Sequence, residues 1–311
     1  MMKSSILIHN EGAGDGKIDA EALIKVLAAA GVPTRHCSPK DPQLADCLAG
    51  AEDLVILAGG DGTVARILSQ LPDRADRRIA IVPLGTANNI AQSLGILSSI
   101  EPGAGEEILS GWKHAETRFI DIGLAKGPWG EQRFVEGVGI GPLARTIIQF
   151  KSEGVSAVDS MRLGREALSR NVAYATSLAS PLRIDGAPTA EDLLMAEIMN
   201  IQHAGSRVRL APDADSGDGL FDVVTLATAA RDDFRAWLAK GSDKDLPPVT
   251  IRRARAVDIE WQGELLRIDD YSPKTMDRSG RVSIGFATQR LAVLVPLAQD
   301  ASTFERTATC L

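Results

Sequence analysis

Along the first ~120 residues, short apolar runs alternate with stretches whose apolar positions recur three and four residues apart, the strand and helix signals respectively. Ser5-Ile6-Leu7-Ile8-His9 predicts a strand. Residues 18–30 carry Leu23, Ile24 and Leu27 on one face and predict a helix that Gly31 closes. Residues 53–58, apolar at every position after Asp53, predict a strand buried on both faces. A helix over 64–71, a strand over 79–82 and a helix over 87–94, stopped by Gly95, complete the pattern. These strand–loop–helix units with short connections predict an α/β domain with a parallel, doubly wound sheet. Loops 10–16, 59–63 and 83–88 all leave strand carboxyl ends. They are predicted to line one crevice, where such sheets bind ligands.

From about Arg118 the pattern changes. Segments 119–125, 134–139, 193–201, 221–226, 256–261 and 291–295 are strand-like and separated by Gly, Pro and Asp turns. Helical patterns remain only between 142 and 175 and over 232–240. This half predicts a mostly antiparallel β-sandwich. The expected domains are 1–118 and 119–296, with the tail 297–311 returning to the first.

Composition narrows the function classes. The chain has 311 residues, 44% hydrophobic and 24% charged, an ordinary globular balance. A formal net charge of −7 argues against nucleic acid as a partner. No apolar run reaches signal-peptide or membrane-span length, so a cytoplasmic protein is expected, with at most transient contact with a membrane surface. Oligomeric state stays open. Cys37, Cys47 and Cys310 stand far apart in sequence without metal-ligand spacing and read as thiols of a reducing compartment. His9, His36, His114 and His203 show no ligand spacing either.

The candidate chemistry sits in the crevice loops. Gly59-Gly60-Asp61-Gly62-Thr63 places glycines in a strand-to-helix turn, where the backbone can approach a ligand closely. The helix N-terminus that follows suits phosphate. Asp61 would repel phosphate unless it holds a cation. Thr63 can cap the helix. Asn10-Glu11-Gly12-Ala13-Gly14-Asp15-Gly16-Lys17 is neither a Walker loop nor Gly-x-Gly-x-x-Gly. It offers a second anion loop, with Asn10 and Gly14 as candidate contacts. Pro83-Leu84-Gly85-Thr86-Ala87-Asn88-Asn89 offers a third, through Thr86, Asn88 and Asn89. The 59–63 string marks a phosphate loop by itself; the other two alone read equally as turns or caps, and together in one crevice the three read as a nucleotide site.

The string at 59–63 followed by the one at 83–89 resembles the diacylglycerol kinase catalytic domain, the family of bacterial lipid kinases, sphingosine kinases and ceramide kinases. It is more remotely similar to NAD kinases and 6-phosphofructokinases. Phe119-Ile120-Asp121-Ile122-Gly123, the stretch Phe134 to Gly141, and Asp218-Gly219-Leu220-Phe221-Asp222-Val223 extend the resemblance from about 5 to 296. The resemblance implies an active site in the cleft between the two domains. Asn10, the 59–65 loop and Thr86 would hold ATP phosphates. Asp61, Asn89 and Asp121 would surround catalytic Mg2+. A structural cation would sit at Asp218, with backbone carbonyls of Asp215 and Leu220.

This sequence departs from the family at several places. Glu11 replaces a proline, Arg66 stands beside the phosphate loop, and position 89 is Asn where Asp is common. The family's Asp-Gly-Glu, whose Glu deprotonates the acceptor, is here Asp269-Asp270-Tyr271. Asp270 and Glu264 are the alternative bases. The implied activity is phosphorylation of a lipid hydroxyl by ATP. A nucleotide- or lipid-binding protein with little turnover, and a kinase of a soluble acceptor, are the alternatives.

Overall fold

The computed structural model describes residues 4–13, 20–29, 31–50, 52–96, 112, 115–153, 160–189, 192–241, 245–273 and 279–296. Its first half runs β1 (Ser5–His9), α1 (Ala20–Ala29), β2 (Thr34–Cys37), α2 (Leu44–Ala49), β3 (Leu54–Gly59), α3 (Asp61–Gln70), β4 (Arg78–Pro83), α4 (Asn89–Ser93). The strands lie in the order β2-β1-β3-β4, all parallel. Successive side chains of a strand point to opposite faces. Ile6, Val55, Leu57 and Ile81 therefore pack beneath Leu48 of α2, Ile67 and Leu68 of α3 and Ile90 of α4. Leu7, Ile56 and Val82 pack on the other face against Leu23 and Leu27 of α1. The sheet is covered on both sides, as the unbroken apolar runs predict. Gly31 and Gly95, both at φ +74, end α1 and α4 in the left-handed conformation.

Two elements of this half lack a sequence signal. β2 is an edge strand that buries only Cys37, so no alternation marks it. α2 is six residues long, too short for a helical period to show.

The second half contains β5 (Ala115–Gly127), β6 (Gly130–Phe134), β7 (Gly137–Ile140), α5 (Pro142–Glu153), α6 (Ser160–Ala173), β8 (Leu182–Ile184), β9 (Ala187–Pro188) and β10 (Leu193–Met199). There follow β11 (His203–Ala204), β12 (Val208–Arg209), β13 (Phe221–Ala227), α7 (Arg231–Lys240), β14 (Thr250–Ala254), β15 (Val257–Trp261), β16 (Leu266–Ile268) and β17 (Gly280–Pro296). An antiparallel sheet, β14-β13-β10-β7-β16, packs against β6, β15, β8 and the adjoining parts of β5 and β17. Phe134, Ile198, Phe221, Ile259 and Ile284 fill the space between. Phe221 stacks on Phe286 with ring centroids 3.9 Å apart. The outer face of the five-stranded sheet is not bare: Leu143 of α5, Leu168 of α6 and Phe234 and Trp237 of α7 cover Leu194 and Val224. The sandwich thus carries a helical third layer. The helical stretch expected within 142–175 is two helices, α5 and α6.

β5 and β17 tie the halves together. They pair antiparallel from Ala115↔Pro296 to Lys126↔Ser283, with a register shift between Phe286 and Arg290. Residues 292–294 of β17 also pair in parallel with 78–80 of β4. The chain therefore re-enters the first sheet before residue 297; the tail 297–311 lies outside the described residues. No helix among the described residues is long and apolar enough to cross a membrane.

Candidate active site

The carboxyl ends of the parallel strands open into a cavity of about 750 Å3. Asn10, Gly60, Asp61, Gly62, Thr63, Thr86 and Asn89 form its polar end. Leu143, Ile147 and Phe150 of α5, Met161 and Leu168 of α6, and Val208 form its apolar end. The three sequence loops do converge. Asn10 Nδ2 donates to Thr63 Oγ1 at 2.8 Å, joining the first loop to the second. Gly60 and Gly85 join the second to the third: a Cβ on Gly85 would stand 2.6 Å from Gly60 Cα. No other residue type tolerates that approach. The Ile90 N–H donates to Asp61 Oδ1 at 3.1 Å, so α4 fixes the aspartate at the start of α3. The first turn of α3 makes one wall, and its N–H groups and dipole favour an anion there.

The acids of the cleft are crowded. The turn after β16 presses Asp270 against the glycine loop, where a Cβ on Gly62 would lie 2.8 Å from Asp270 Oδ2. Burial pushes the Asp61 carboxyl up to about 6, and the charge of Asp270 adds to the rise. The N–H groups of Asn89 and Ile90 and the Arg207 guanidinium oppose it. Asp269 does not face the cavity. Its Oδ1 accepts the Glu136 N–H at 2.7 Å and the Val135 and Gly137 N–H groups at 3.2 Å. Burial still pushes it up to about 6 against those bonds. Asp269 sits at φ +49, and Ile268 and Tyr271 exchange backbone hydrogen bonds across the turn. A fully buried pair, Arg267–Glu197 at 2.6 Å, holds the turn from below, since Arg267 Nη1 also donates to the Asp269 carbonyl at 3.1 Å. One aspartate is thus spent in fixing the turn that presents its neighbour.

Glu136, Arg267 and Arg207 are the residues that carry no site role in the sequence reading, and Asp269, named there only as part of the turn, gains one. Glu136 is buried and held well above the usual carboxylate range, first by desolvation, then by Asp61, Asp270 and Asp269. Its signal was an acid inside an otherwise apolar strand-and-glycine stretch. Arg207, in the β11–β12 hairpin, donates to the carbonyls of Ala87 (2.9 Å) and Thr86 (3.1 Å) and clamps the third loop from the other half of the chain. No local pattern marks it. Asn89 Nδ2 donates to Gly205 of the same hairpin at 2.9 Å. Asn89 Oδ1 and Glu136 Oε1 are buried without a hydrogen-bond donor. Unsatisfied buried oxygens beside Asp61 and Asp270 suit a hard divalent cation.

Other sequence candidates lie elsewhere or serve the scaffold. Asp121, expected beside Asp61, instead pairs with Arg290 at 2.8 Å and accepts the Gly219 N–H at 2.9 Å. The ladder register sets Asp121 opposite Arg290 at the edge of the β17 irregularity and leaves it off the cavity wall. Glu264 is not in the cleft. It accepts the Ala179 N–H at 2.9 Å and the Ser180 hydroxyl, tying the β15–β16 turn to the segment before β8. Asp218 faces Arg253 rather than an open oxygen cage, and its Oδ1 takes the Leu220 N–H at 2.9 Å. The Asp215 carbonyl accepts the Asp218 N–H at 3.4 Å. Asn88, at φ +50, spends its amide on both backbone groups of Gly85 and shapes the third loop without lining the cavity. Gly59 packs beneath Thr63. Tyr271 lines a smaller neighbouring pocket of about 290 Å3 with Arg66 and Arg133. Gly14 lies outside the described residues.

Comparison with known proteins finds counterparts for both halves of the chain. The diacylglycerol kinase catalytic domain model matches residues 4–123, and the YegS C-terminal NAD kinase beta sandwich-like domain model matches 154–273. A diacylglycerol kinase of Mycobacterium tuberculosis is 29% identical over 234 residues, 71% of each chain. One of Staphylococcus epidermidis is 25% identical over 276 residues, 83% of this chain and 82% of that one. In fold, a Bacillus anthracis diacylglycerol kinase crystal structure superposes with a TM-score of 0.68 at 20% identity, covering 96% of this chain and 98% of the other. An Archaeoglobus fulgidus NAD kinase solved with ATP superposes at 0.54 and 13% identity over the whole of both chains. Both halves find their counterparts in the same order, and the loops that carry the motifs are those that meet at the cavity. The chain belongs to the diacylglycerol kinase catalytic-domain family.

Proposed function

We propose that this chain transfers the terminal phosphoryl group of ATP to a hydroxyl of a diacylglycerol-like lipid. The observation that carries this reading is the two-ended cavity, a phosphate-loop wall with Asp61 and Asp270 at one end and apolar α5 and α6 at the other. Asn10, Thr63, Thr86 and the first turn of α3 cradle the phosphates. The oxygens of Asp61 and Asn89 are the set that would hold Mg2+, which supplies charge neutralisation when bound. Asp270 accepts the proton as the lipid oxygen bonds to the γ-phosphorus and the bond to the leaving ADP oxygen breaks. Leu143, Ile147, Phe150 and Leu168 take the acyl chain, which excludes water from the transfer.

The test is phosphate transfer from γ-labelled ATP in mixed micelles of diacylglycerol, with NAD as a competing soluble acceptor. A labelled lipid product is expected. Label in NADP alone overturns the lipid assignment, and nucleotide binding without any labelled acceptor makes the protein a sensor.

A further inference from the structure

Cys37 ends β2 and Cys47 sits in α2, a separation with no metal-ligand signature, yet the fold closes them on each other. Their sulfur atoms and a carboxylate oxygen of Asp41 all lie within 4.8 Å of one another. Cys37 is 3% exposed, whereas Asp41 and Cys47 are half-buried and leave one side of the trio toward solvent. Each member is fixed by local hydrogen bonds, and the Cys37 thiol donates to the Ser38 carbonyl at 3.6 Å. The Gln43 N–H donates to Asp41 Oδ1 at 2.8 Å, and the Leu44 N–H to the Asp41 carbonyl at 3.1 Å. The Cys47 N–H donates to the Gln43 carbonyl at 3.0 Å, and the Cys47 carbonyl accepts Arg35 Nη2 at 3.0 Å. Arg35 is itself paired with Glu52 at 2.8 Å. The cation nearest Cys47 therefore already has a carboxylate of its own.

Two thiols in one hollow serve apolar packing, a disulfide or a metal. The carboxylate, whose Oδ1 also receives the Gln43 N–H of the turn before α2, weighs on the choice through its position against both sulfurs. Packing gains nothing from an anion beside buried sulfur. A carboxylate also opposes the thiolate that disulfide exchange requires. A divalent cation reverses both effects, because it deprotonates the thiols and takes all three anionic ligands. Sulfur-rich ligation selects zinc over magnesium, and three protein ligands leave a fourth tetrahedral position for water. We propose that Cys37, Asp41 and Cys47 form a binding site for a thiophilic divalent cation of the zinc class. Pro39 and Lys40, between two of these ligands, line the large cavity. A bound ion pins the loop that presents Lys40 to the cleft. The site is separate from the acid cluster and does not rest on the kinase reading.

The test uses the full chain with Cys310→Ser, reduced and stripped by chelator, then titrated with Co2+ and Zn2+. One Co2+ per chain is expected, with thiolate-to-cobalt charge-transfer absorption that Zn2+ abolishes. Cys37→Ser and Cys47→Ser should each remove that absorption while circular dichroism stays native. Asp41→Asn should keep it and weaken zinc binding roughly tenfold or more. Absence of the absorption in the natively folded Cys310→Ser protein overturns the proposal. So does its survival in Cys47→Ser, or an intact mass lowered by the two hydrogens of a disulfide after purification in millimolar reduced glutathione.

Discussion

Around Asp61 carboxyl groups crowd together, whereas around Asp121 and Asp218 each carboxylate faces an arginine of its own. Asp61 and Asp218 are each flanked by glycines, Asp121 lies between isoleucines, and all three read from sequence as cation ligands. Their surroundings separate them. Asp61, Asp269 and Glu136 are all pushed upward by burial and by neighbouring acids, with Arg207 and Arg267 giving only partial relief. Asp121 and Asp218 are neutralised within the chain. A buried acid with too little counter-charge is a demand that a proton or a cation must meet, and such demands cluster at functional sites. A paired acid is already satisfied and serves the scaffold.

The sharpest way to break this contrast is Asp61→Asn. Turnover should fall on the order of 10²–10³-fold, since a charge at the phosphate site is lost. The melting temperature should hold or rise, because the substitution removes a carboxyl that burial and Asp270 disfavour. Near-normal lipid phosphorylation would mean that the crowded acids are incidental. Asp270→Asn comes next, with a loss on the order of 10²-fold expected from removal of the proton acceptor. Glu264→Gln, which alters a distant turn, should stay within a few-fold of the parent in the same micelle assay. Equal losses in both variants would erase the distinction between cleft and scaffold acids.

A smaller effect sharpens the comparison through pH. A carboxyl raised in the folded state stabilises the fold while it is protonated. That contribution is complete below the ordinary value of 3.8 and is lost as pH rises through about 6 for Asp61 and Asp269. Without divalent cation, thermal stability should therefore fall between about pH 4 and 6 through these groups. Saturating Mg2+ should raise the melting temperature at pH 8 by a few degrees, and by much less at pH 5. Asp61→Asn should abolish the difference. An Mg2+ response that is independent of pH, or intact in that variant, would detach the cation from the acid cluster.

Much of this is legible in the sequence, and the reasons differ by element. The buried parallel strands announce themselves because both faces are apolar, as in Leu54 to Ala58. The glycine loops do so because backbone approach, as between Gly60 and Gly85, excludes other residues. What stayed hidden depends on contacts between distant segments. Nothing local separates Asp270, aimed at Gly62, from Glu264, bonded to Ala179 and Ser180. Asp121 matched its motif, but its partner was set by ladder register with Arg290. Arg207 reaches Thr86 across 121 positions, and Cys37 meets Cys47 through an edge strand with no alternation.

The smallest expected effects lie at the paired turn, and they are the ones that protect the contrast. Asp218 meets Arg253, whose side chain is half exposed, so solvent screens the pair and Asp218→Asn should cost no more than about 1 kcal/mol. Asp121 is more buried and receives both Arg290 and the Gly219 N–H. Asparagine keeps an acceptor for the amide and loses only the charge, so Asp121→Asn should cost about 1–2 kcal/mol. Urea midpoints measure both losses, and turnover should remain within a few-fold of the parent. A structural cation at this turn predicts the reverse. Asp218→Asn would then make stability insensitive to chelator where the parent is sensitive, and the loss would exceed that of a screened surface pair. Chelator sensitivity of the parent at Asp218, measured beside Arg253→Met, therefore decides whether the guanidinium alone satisfies this carboxylate.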